Sequence, residues 1–338
     1  MKFARTAILG AGNWGIALAT LWAQRRNEIT LWGHNPARVT RLAATRGKTE
    51  ALPGVALPES VTVTSNLDDC AGADLVVVVT PSTALRGVAT ALRPHLSENA
   101  VLLSCTKGIE HGTGMRMTEI LREILPGHTA AVLSGPNLAV EVSRGLPTAT
   151  VLGCEQADCA EELQQHLGSP HFRIYSSDDT AGIELGGALK NVFAITAGAS
   201  DGLGFGDNSK AALVTRCLAE MLRLGTAMGG RAATFYGLSG AGDLVATCFS
   251  HHSRNRRVGE QLGRGVDLEE IKASMKMVAE GIPTTESAFE CARRLGVETP
   301  IIDQAYAILY QNRKPQDALQ ELLSRDQKPE RMSLPGRS

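Results

Sequence analysis

The residues of this 338-residue chain whose types and spacing could do chemistry form a glycine turn, two lysines, an aspartate and a basic helix start. Gly10-Ala11-Gly12-Asn13-Trp14-Gly15 follows the strand-like Ala7-Ile8-Leu9 and opens an apolar helix, Ile16 to Gln24. Between strand and helix, G-x-G-x-x-G is a dinucleotide fingerprint. Its first glycine makes the turn, its second admits the pyrophosphate, and its third lets helix and strand pack closely, while the helix N-terminus offers N–H groups to the phosphates. Lys107, between Thr106 and Gly108 just past a buried strand, is placed to reach an anion or a carbonyl, although taken alone such a residue is more often a solvated loop lysine. Lys190 stands in the nearly uncharged run Ile183 to Gly198, beside Asn191, on a face otherwise made of Gly186, Gly187, Ala194, Ala197 and Gly198. Such a lysine, in the middle of a nearly uncharged helix, either snorkels to water or is functional. The glycines around it have two readings, tight helix packing or access to Lys190, and the expectation is that the cluster from Gly182 to Gly242 clears the helix face around Lys190 and shapes the approach to Asp243.

Gly240-Ala241-Gly242-Asp243 precedes a segment in which Asp243 and Thr247 share a helix face at i, i+4. Asp243 has the plain alternative of a helix N-cap. Ser253 can cap a helix whose first turn presents Arg254 and Asn255, either a phosphate site or a basic solvated turn. His251 and His252 point apart on a helix and have no carboxylate at ligand spacing, so no metal is expected.

The elements that must position these residues change character along the chain. Apolar β-branched runs (Ala7-Ile8-Leu9, Ile29-Thr30-Leu31, Val61-Thr62-Val63, Leu75 to Val79, Val101-Leu102-Leu103, Ala131-Val132-Leu133) alternate with helical patterns and predict a parallel sheet covered on both faces. Ala149 to Leu152 and Phe172 to Tyr175 are expected to finish that sheet. Beyond Asp178, Ala211 to Leu224, Leu268 to Ala279 and Thr284 to Leu295 have helical spacing and strand signals fade. The fold class is therefore α/β plus all-α. A Rossmann domain with a doubly wound, mostly parallel sheet is expected over 1–180, a helical substrate and catalytic domain over 181–324, and a disordered polar tail over 325–338.

Thirty-four Lys and Arg balance 35 Asp and Glu for a net charge of -1, which points to neither nucleic-acid nor membrane binding. Glycine is in excess, at 35 residues. Seven cysteines without a C-x-x-C pair argue against a disulfide framework and a structural zinc site. No run predicts a membrane span or signal peptide, so a cytoplasmic setting is expected. About 20 residues past the glycine turn, where an acid would bind a ribose 2′-hydroxyl, the chain reads Trp32-Gly33-His34-Asn35-Pro36-Ala37-Arg38. With no carboxylate there and Arg38 and Arg41 at hand, the sequence leans towards NADP with NAD tolerated, unless the arginines are merely a solvated helix face.

Together these motifs resemble the bacterial-type NAD(P)-dependent glycerol-3-phosphate dehydrogenases. The likeness runs from about residue 5 to 322 and includes Gly10 to Ala19, Lys107-Gly108, Ser134-Gly135-Pro136-Asn137, Glu184-Leu185-x-Gly187-Ala188-x-Lys190-Asn191, Asp201-Gly202-Leu203-Gly204, Gly240-x-Gly242-Asp243-Leu244, Ser253-Arg254-Asn255 and Val278-x-Glu280-Gly281. The resemblance implies a 6-phosphogluconate-dehydrogenase-like fold, a homodimer, and reversible reduction of dihydroxyacetone phosphate to sn-glycerol 3-phosphate for phospholipid synthesis, with NADPH or NADH and no metal. It makes Lys190 the proton donor and acceptor, with Lys107 and Asp243 beside it. Substrate positions would be Lys107, Gly135, Asn137, Lys190, Asn191, Asp243, Ser253, Arg254 and Asn255. Cofactor positions would be Gly10, Gly12, Asn13, Trp14, Gly15, His34, Lys107, Ala139, Arg254, Val278 and Glu280. Asn13 and Asn137 stand where Ser or Thr is commoner, and Leu138 and Val140 where Phe and Lys are frequent. The competing readings are a related two-domain reductase of a hydroxy acid, such as ketopantoate, and a non-catalytic nucleotide sensor. The sensor reading gives no reason to keep Lys107, Lys190 and Asp243 together.

Overall fold

The computed structural model describes residues 3–24, 28–275 and 277–326. Most of the expected tail, from 327 onward, lies outside them. In the first unit, eight strands form one sheet: β1 (Arg5–Leu9), β2 (Glu28–Trp32), β3 (Val61–Thr64), β4 (Leu75–Val78), β5 (Val101–Ser104), β6 (Ala130–Ser134), β7 (Thr148–Gly153) and β8 (Phe172–Ser177). Their order is β3-β2-β1-β4-β5-β6-β7-β8, so the chain reverses its direction of growth between β1 and β4 and leaves a crevice beyond the end of β1. Leu75, Val76, Val77 and Val78 are all buried, as expected for a strand with helices on both faces. Six strands are parallel; β7 runs antiparallel to β6, and β8 parallel to β7. Helices α1 (Asn13–Ala23), α2 (Pro36–Ala44), α3 (Ser82–Leu92), α4 (Met117–Ile124), α5 (Ala139–Val142) and α6 (Ala157–Leu167) complete this unit.

The second unit is helical: α7 (Thr180–Gly202), α8 (Asp207–Ala227), α9 (Ala232–Phe235), α10 (Asp243–Phe249), α11 (Arg254–Gly263), α12 (Leu268–Ser274), α13 (Gly281–Leu295), α14 (Pro300–Tyr310) and α15 (Pro315–Leu323). Leu185, Leu189, Val192 and Phe193 of α7 lie in its core beside Met221, Phe235, Leu244 and Ala288. The helix expected over Leu268 to Ala279 stops at Ser274, with Met275 extended at φ -84° and ψ 124°. Beyond that end Val278 is 49% exposed, while Ala279 is buried beside Ile195, Val258 and Leu262.

Lys107–Arg116 departs from the division expected at residue 180: it belongs with the helical unit, which takes up the chain again from Ala181. Ile109 is buried in the helical core, and Arg116 Nη1 meets Glu184 Oε2 of α7 at 2.9 Å.

Candidate functional site

The glycine turn is packed as closely as its motif calls for. Gly10 has φ +133°, and a Cβ there would stand 2.6 Å from the Val79 carbonyl oxygen. A Cβ on Gly15 would fall on the Gly10 carbonyl oxygen. Gly12 occupies the N-cap of α1 without a side-chain cap, so first-turn N–H groups remain for phosphate oxygens. At the strand ends, the buried Thr80 Oγ1, Ser104 Oγ, Ser134 Oγ and Asn137 Oδ1 have no hydrogen-bond partner. Buried polar atoms left open at the carboxyl edge of a parallel sheet suit a polar ligand. Asn137 donates Nδ2 to Thr150 Oγ1 at 2.9 Å, and Gly135, at φ +155°, packs against Thr150. Ala139 opens α5. His34 is exposed beyond β2, and Asn35 caps α2 by accepting from Arg38 N at 3.0 Å.

In the helical unit one carboxylate serves two lysines. Asp243, only 2% exposed, receives Lys190 Nζ on Oδ1 at 2.8 Å and Lys107 Nζ on Oδ2 at 2.6 Å. Lys190 Nζ also donates to Thr247 Oγ1 at 2.6 Å. The Lys190 ammonium is pulled down to about 8, chiefly by burial; Asp243 resists that pull and Lys107 adds to it. Its proton affinity is therefore close to that of a general acid–base working near neutrality.

Glycine brings these groups together by packing, which decides between the two readings of the excess. A Cβ on Gly186 would lie 2.7 Å from the Ser239 carbonyl oxygen, so α7 sits directly on the Leu238–Gly242 turn that leads into Asp243. Further along, Cβ atoms on Gly198 and Gly202 would strike the Arg256 and Glu260 carbonyl oxygens, and those on Gly259 and Gly263 would strike Ile195 and Ala199. Helices α7 and α11 thus meet backbone to backbone. Asp201 fastens the same contact: its Oδ2 accepts Arg256 Nε at 2.7 Å and Nη2 at 2.6 Å, and Lys210 Nζ at 2.8 Å.

That contact sets the basic corner. Ser253 caps α11 by accepting from Arg256 N at 3.2 Å. Asn255 donates Nδ2 to Asn191 Oδ1 at 2.8 Å and accepts Gly281 N at 2.9 Å. Arg254 donates Nη1 to the Val278 carbonyl at 2.7 Å. Burial lowers its pKa, and the Glu280 carboxylate opposes that shift. The structure thereby brings together Lys107, Lys190, Asp243 and Thr247, and separately ties Asn191, Arg254, Asn255, Val278 and Gly281. Thr247 shared a helix face with Asp243 in the sequence, yet nothing there showed that its hydroxyl meets Lys190. Glu184 and Asp201 carried no local signal beyond their motifs, and Arg116 lay in no motif.

A reversing parallel sheet with an uncapped glycine turn, joined to a helical unit in which a buried lysine and a half-buried one share a carboxylate, defines a dinucleotide-dependent oxidoreductase. Profiles described as the N-terminus and C-terminus of NAD-dependent glycerol-3-phosphate dehydrogenase match residues 5–160 and 179–320. The chain belongs to that family. A Syntrophotalea carbinolica protein named glycerol-3-phosphate dehydrogenase, NAD(P)+, is 48% identical over 327 residues, covering 96% of this chain and 98% of its own. The crystal structure of the Coxiella burnetii glycerol-3-phosphate dehydrogenase matches with TM-score 0.93 and 37% identity, over 96% of this chain and 100% of that one. A ketopantoate reductase from Ralstonia eutropha, at TM-score 0.61 and 17% identity over 93% of this chain and 99% of that one, shares the fold alone. No group of three or more metal-ligating side chains occurs among the described residues, and no helix there is long and apolar enough to cross a membrane.

Proposed function

We propose that this chain interconverts dihydroxyacetone phosphate and sn-glycerol 3-phosphate with NAD(P), supplying the backbone of glycerophospholipids. The observation that carries this reading is Lys190, buried and held by Asp243 and Thr247 with Lys107 on the same carboxylate. When bound, the nicotinamide supplies or accepts the hydride at the substrate's central carbon. Two of the three Lys190 N–H bonds are spent on Asp243 and Thr247, leaving the third for the carbonyl oxygen. As charge develops there, the Lys190 ammonium stabilises it and gives up its proton; in the reverse direction the neutral amine takes it back. Lys107 adds positive charge beside the same oxygen. Arg254, Asn255 and the N-terminus of α11 receive the substrate phosphate, which fixes the reacting carbon.

Gly10, Gly12, Asn13, Trp14 and Gly15 carry the pyrophosphate, with His34, Ala139, Val278 and Glu280 as further cofactor contacts and Gly135 and Asn137 on the substrate side. The absence of an acid after β2 supports NADP with NAD tolerated. A cytoplasmic homodimer without nucleic-acid partners accords with the near-neutral charge and the family. Lys190→Met should lower kcat by roughly 10²–10⁴ with cofactor binding intact. Near-normal turnover of dihydroxyacetone phosphate by this variant would sink the assignment. If only hydroxy-acid precursors are reduced by the wild-type protein, the substrate is wrong and the fold is right.

A further inference from the structure

We propose that Arg116 and Glu184 are positioning residues for this reaction: their buried ion pair anchors the hairpin that holds Lys107 on Asp243 beside Lys190. The inference rests on the function proposed above and concerns what fixes the second lysine in place.

Lys107–Arg116 is built as a small self-contained arm. Ile109 and Arg116 pair across it, Glu110 N donates to the Met115 carbonyl at 2.9 Å, and Gly114 N donates to the Glu110 carbonyl at 2.9 Å. The turn needs glycines at Gly112, with φ +78°, and Gly114, with φ +73°. Glu110 Oε2 accepts the Thr113 hydroxyl at 2.7 Å, which ties the turn internally. Lys107 and Arg116 therefore stand at the two ends of one stiff loop, and where Arg116 is fixed, Lys107 is aimed.

Arg116 is fixed deeply. Its guanidinium meets the Glu184 carboxylate at 2.9 Å, with side chains 13% and 2% exposed. Glu184 and Lys190 lie on the same helix, α7, so one rigid element carries both the anchor of the arm and the amine to which the arm delivers charge. The far turn is held more loosely against α13, where His111 lies 3.6 Å and 3.4 Å from Glu286 and Glu290, and Arg294 donates to the Thr113 carbonyl. The buried ion pair is thus the contact that sets the register of the arm on α7.

The consequence falls on Lys190. Its neighbours are Lys107 from the arm and Asp243, Thr247 and Cys248 from α10; the Cys248 thiol, pushed up to about 12 by burial, stays neutral. Asp243 is divided between two ammonium groups. Releasing the arm removes one positive charge from Lys190 and leaves it the whole carboxylate. Both changes favour the protonated amine, so its proton affinity rises.

The test compares wild type, Glu184→Gln, Arg116→Met and Arg116→Lys in dihydroxyacetone phosphate reduction across pH. Glu184→Gln and Arg116→Met should each lower kcat/KM about tenfold and move its alkaline limb up by about half a unit or more. Arg116→Lys, which keeps a cation within reach of Glu184, should restore most of both. Combining Glu184→Gln with Arg116→Met should cost little more than either alone, because both break the same pair. Labelling of Lys190 by an amine-reactive ester, followed by mass spectrometry, reads the same shift in any variant too slow to assay.

A role confined to stability would lower the unfolding temperature and leave the limb and the labelling profile where they were; that result overturns the proposal. So would a limb that moves down. Failure of the underlying function looks different, because wild type itself would then not turn over dihydroxyacetone phosphate.

Discussion

Asp243→Asn removes the charge that two lysines share while keeping the shape of the side chain, and the sign of its effect follows from the site. Burial and Lys107 already pull Lys190 down to about 8, and Asp243 is the chief group holding it there. A charge-assisted hydrogen bond is worth about 1.5–3 kcal/mol, and one pKa unit is about 1.36 kcal/mol. Losing the carboxylate should therefore lower Lys190 by about 1–2 units. In the reducing direction the enzyme needs Lys190 protonated, so the alkaline limb of kcat/KM, expected near pH 8 in wild type from that proton affinity, should move to lower pH by that amount. One unit above the new pKa only about a tenth of the molecules hold the proton, and reduction slows accordingly. Oxidation of glycerol 3-phosphate needs the free amine, so its acidic limb should shift down as well. The assay is initial rates of NADPH and NADH oxidation with dihydroxyacetone phosphate as a function of pH, with unfolding temperature as a control for the fold. General damage lowers rates at every pH without moving the limb. A limb that stays near 8 or moves up would refute the claim that Asp243 sets the proton affinity of Lys190.

Arg254→Ala should raise KM for dihydroxyacetone phosphate by roughly 10- to 100-fold, the worth of a charge-assisted phosphate contact, with a smaller change in kcat; an unchanged KM in steady-state kinetics would remove Arg254 from the phosphate site. Gly259→Ala would drive a Cβ into the Ile195 carbonyl where α7 and α11 touch, costing about 3 kcal/mol. Gly87→Ala, with nothing within 4 Å, should stabilise α3 by about 0.5–1 kcal/mol, and thermal unfolding distinguishes the two signs. Burial lifts the Glu220 carboxyl from 4.5 to about 7 although Ile301 N and Ile302 N donate to it. Folding therefore favours its protonated form: the contribution is full below about pH 4.5 and fades as pH rises through about 7, by at most about 3 kcal/mol. Relative to wild type, Glu220→Gln should become more stable across that window in denaturant titrations, and a difference that moves the other way would contradict the burial argument.

The sequence was most legible where the chemistry is local. The glycine turn needs only the backbone demands of one strand, one turn and one helix, and Gly10 and Gly15 are placed as those demands require, with Gly12 at the N-cap of α1. Ser253 as a cap is equally local. Groups joined across long stretches of chain were not legible from local pattern: Arg116 and Glu184 lie 68 positions apart, and Lys107 and Asp243, 136 apart, were grouped only through the family resemblance. Apolar runs mark β6 and β7 as strands, but nothing in them encodes the antiparallel pairing, which arises because the intervening segment holds only the four-residue α5 and no full crossover helix.

The glycine excess shows how one composition can carry two meanings. Glycine beside a central lysine is equally compatible with an open ligand face and with a close helix contact, because either needs the absence of a Cβ. What separates them is the partner, and the partner of Gly186, Gly198 and Gly202 is backbone. Close approach is also what the chemistry needs. A lysine reaches a proton affinity near neutrality only if it is dry, and it stays usable only if a carboxylate is held against it without water between. Seating α7 directly on the turn before Asp243 meets both conditions. The glycines therefore act on Lys190 through the position of Asp243, and a side chain added at Gly186 should harm catalysis by moving that carboxylate rather than by blocking substrate.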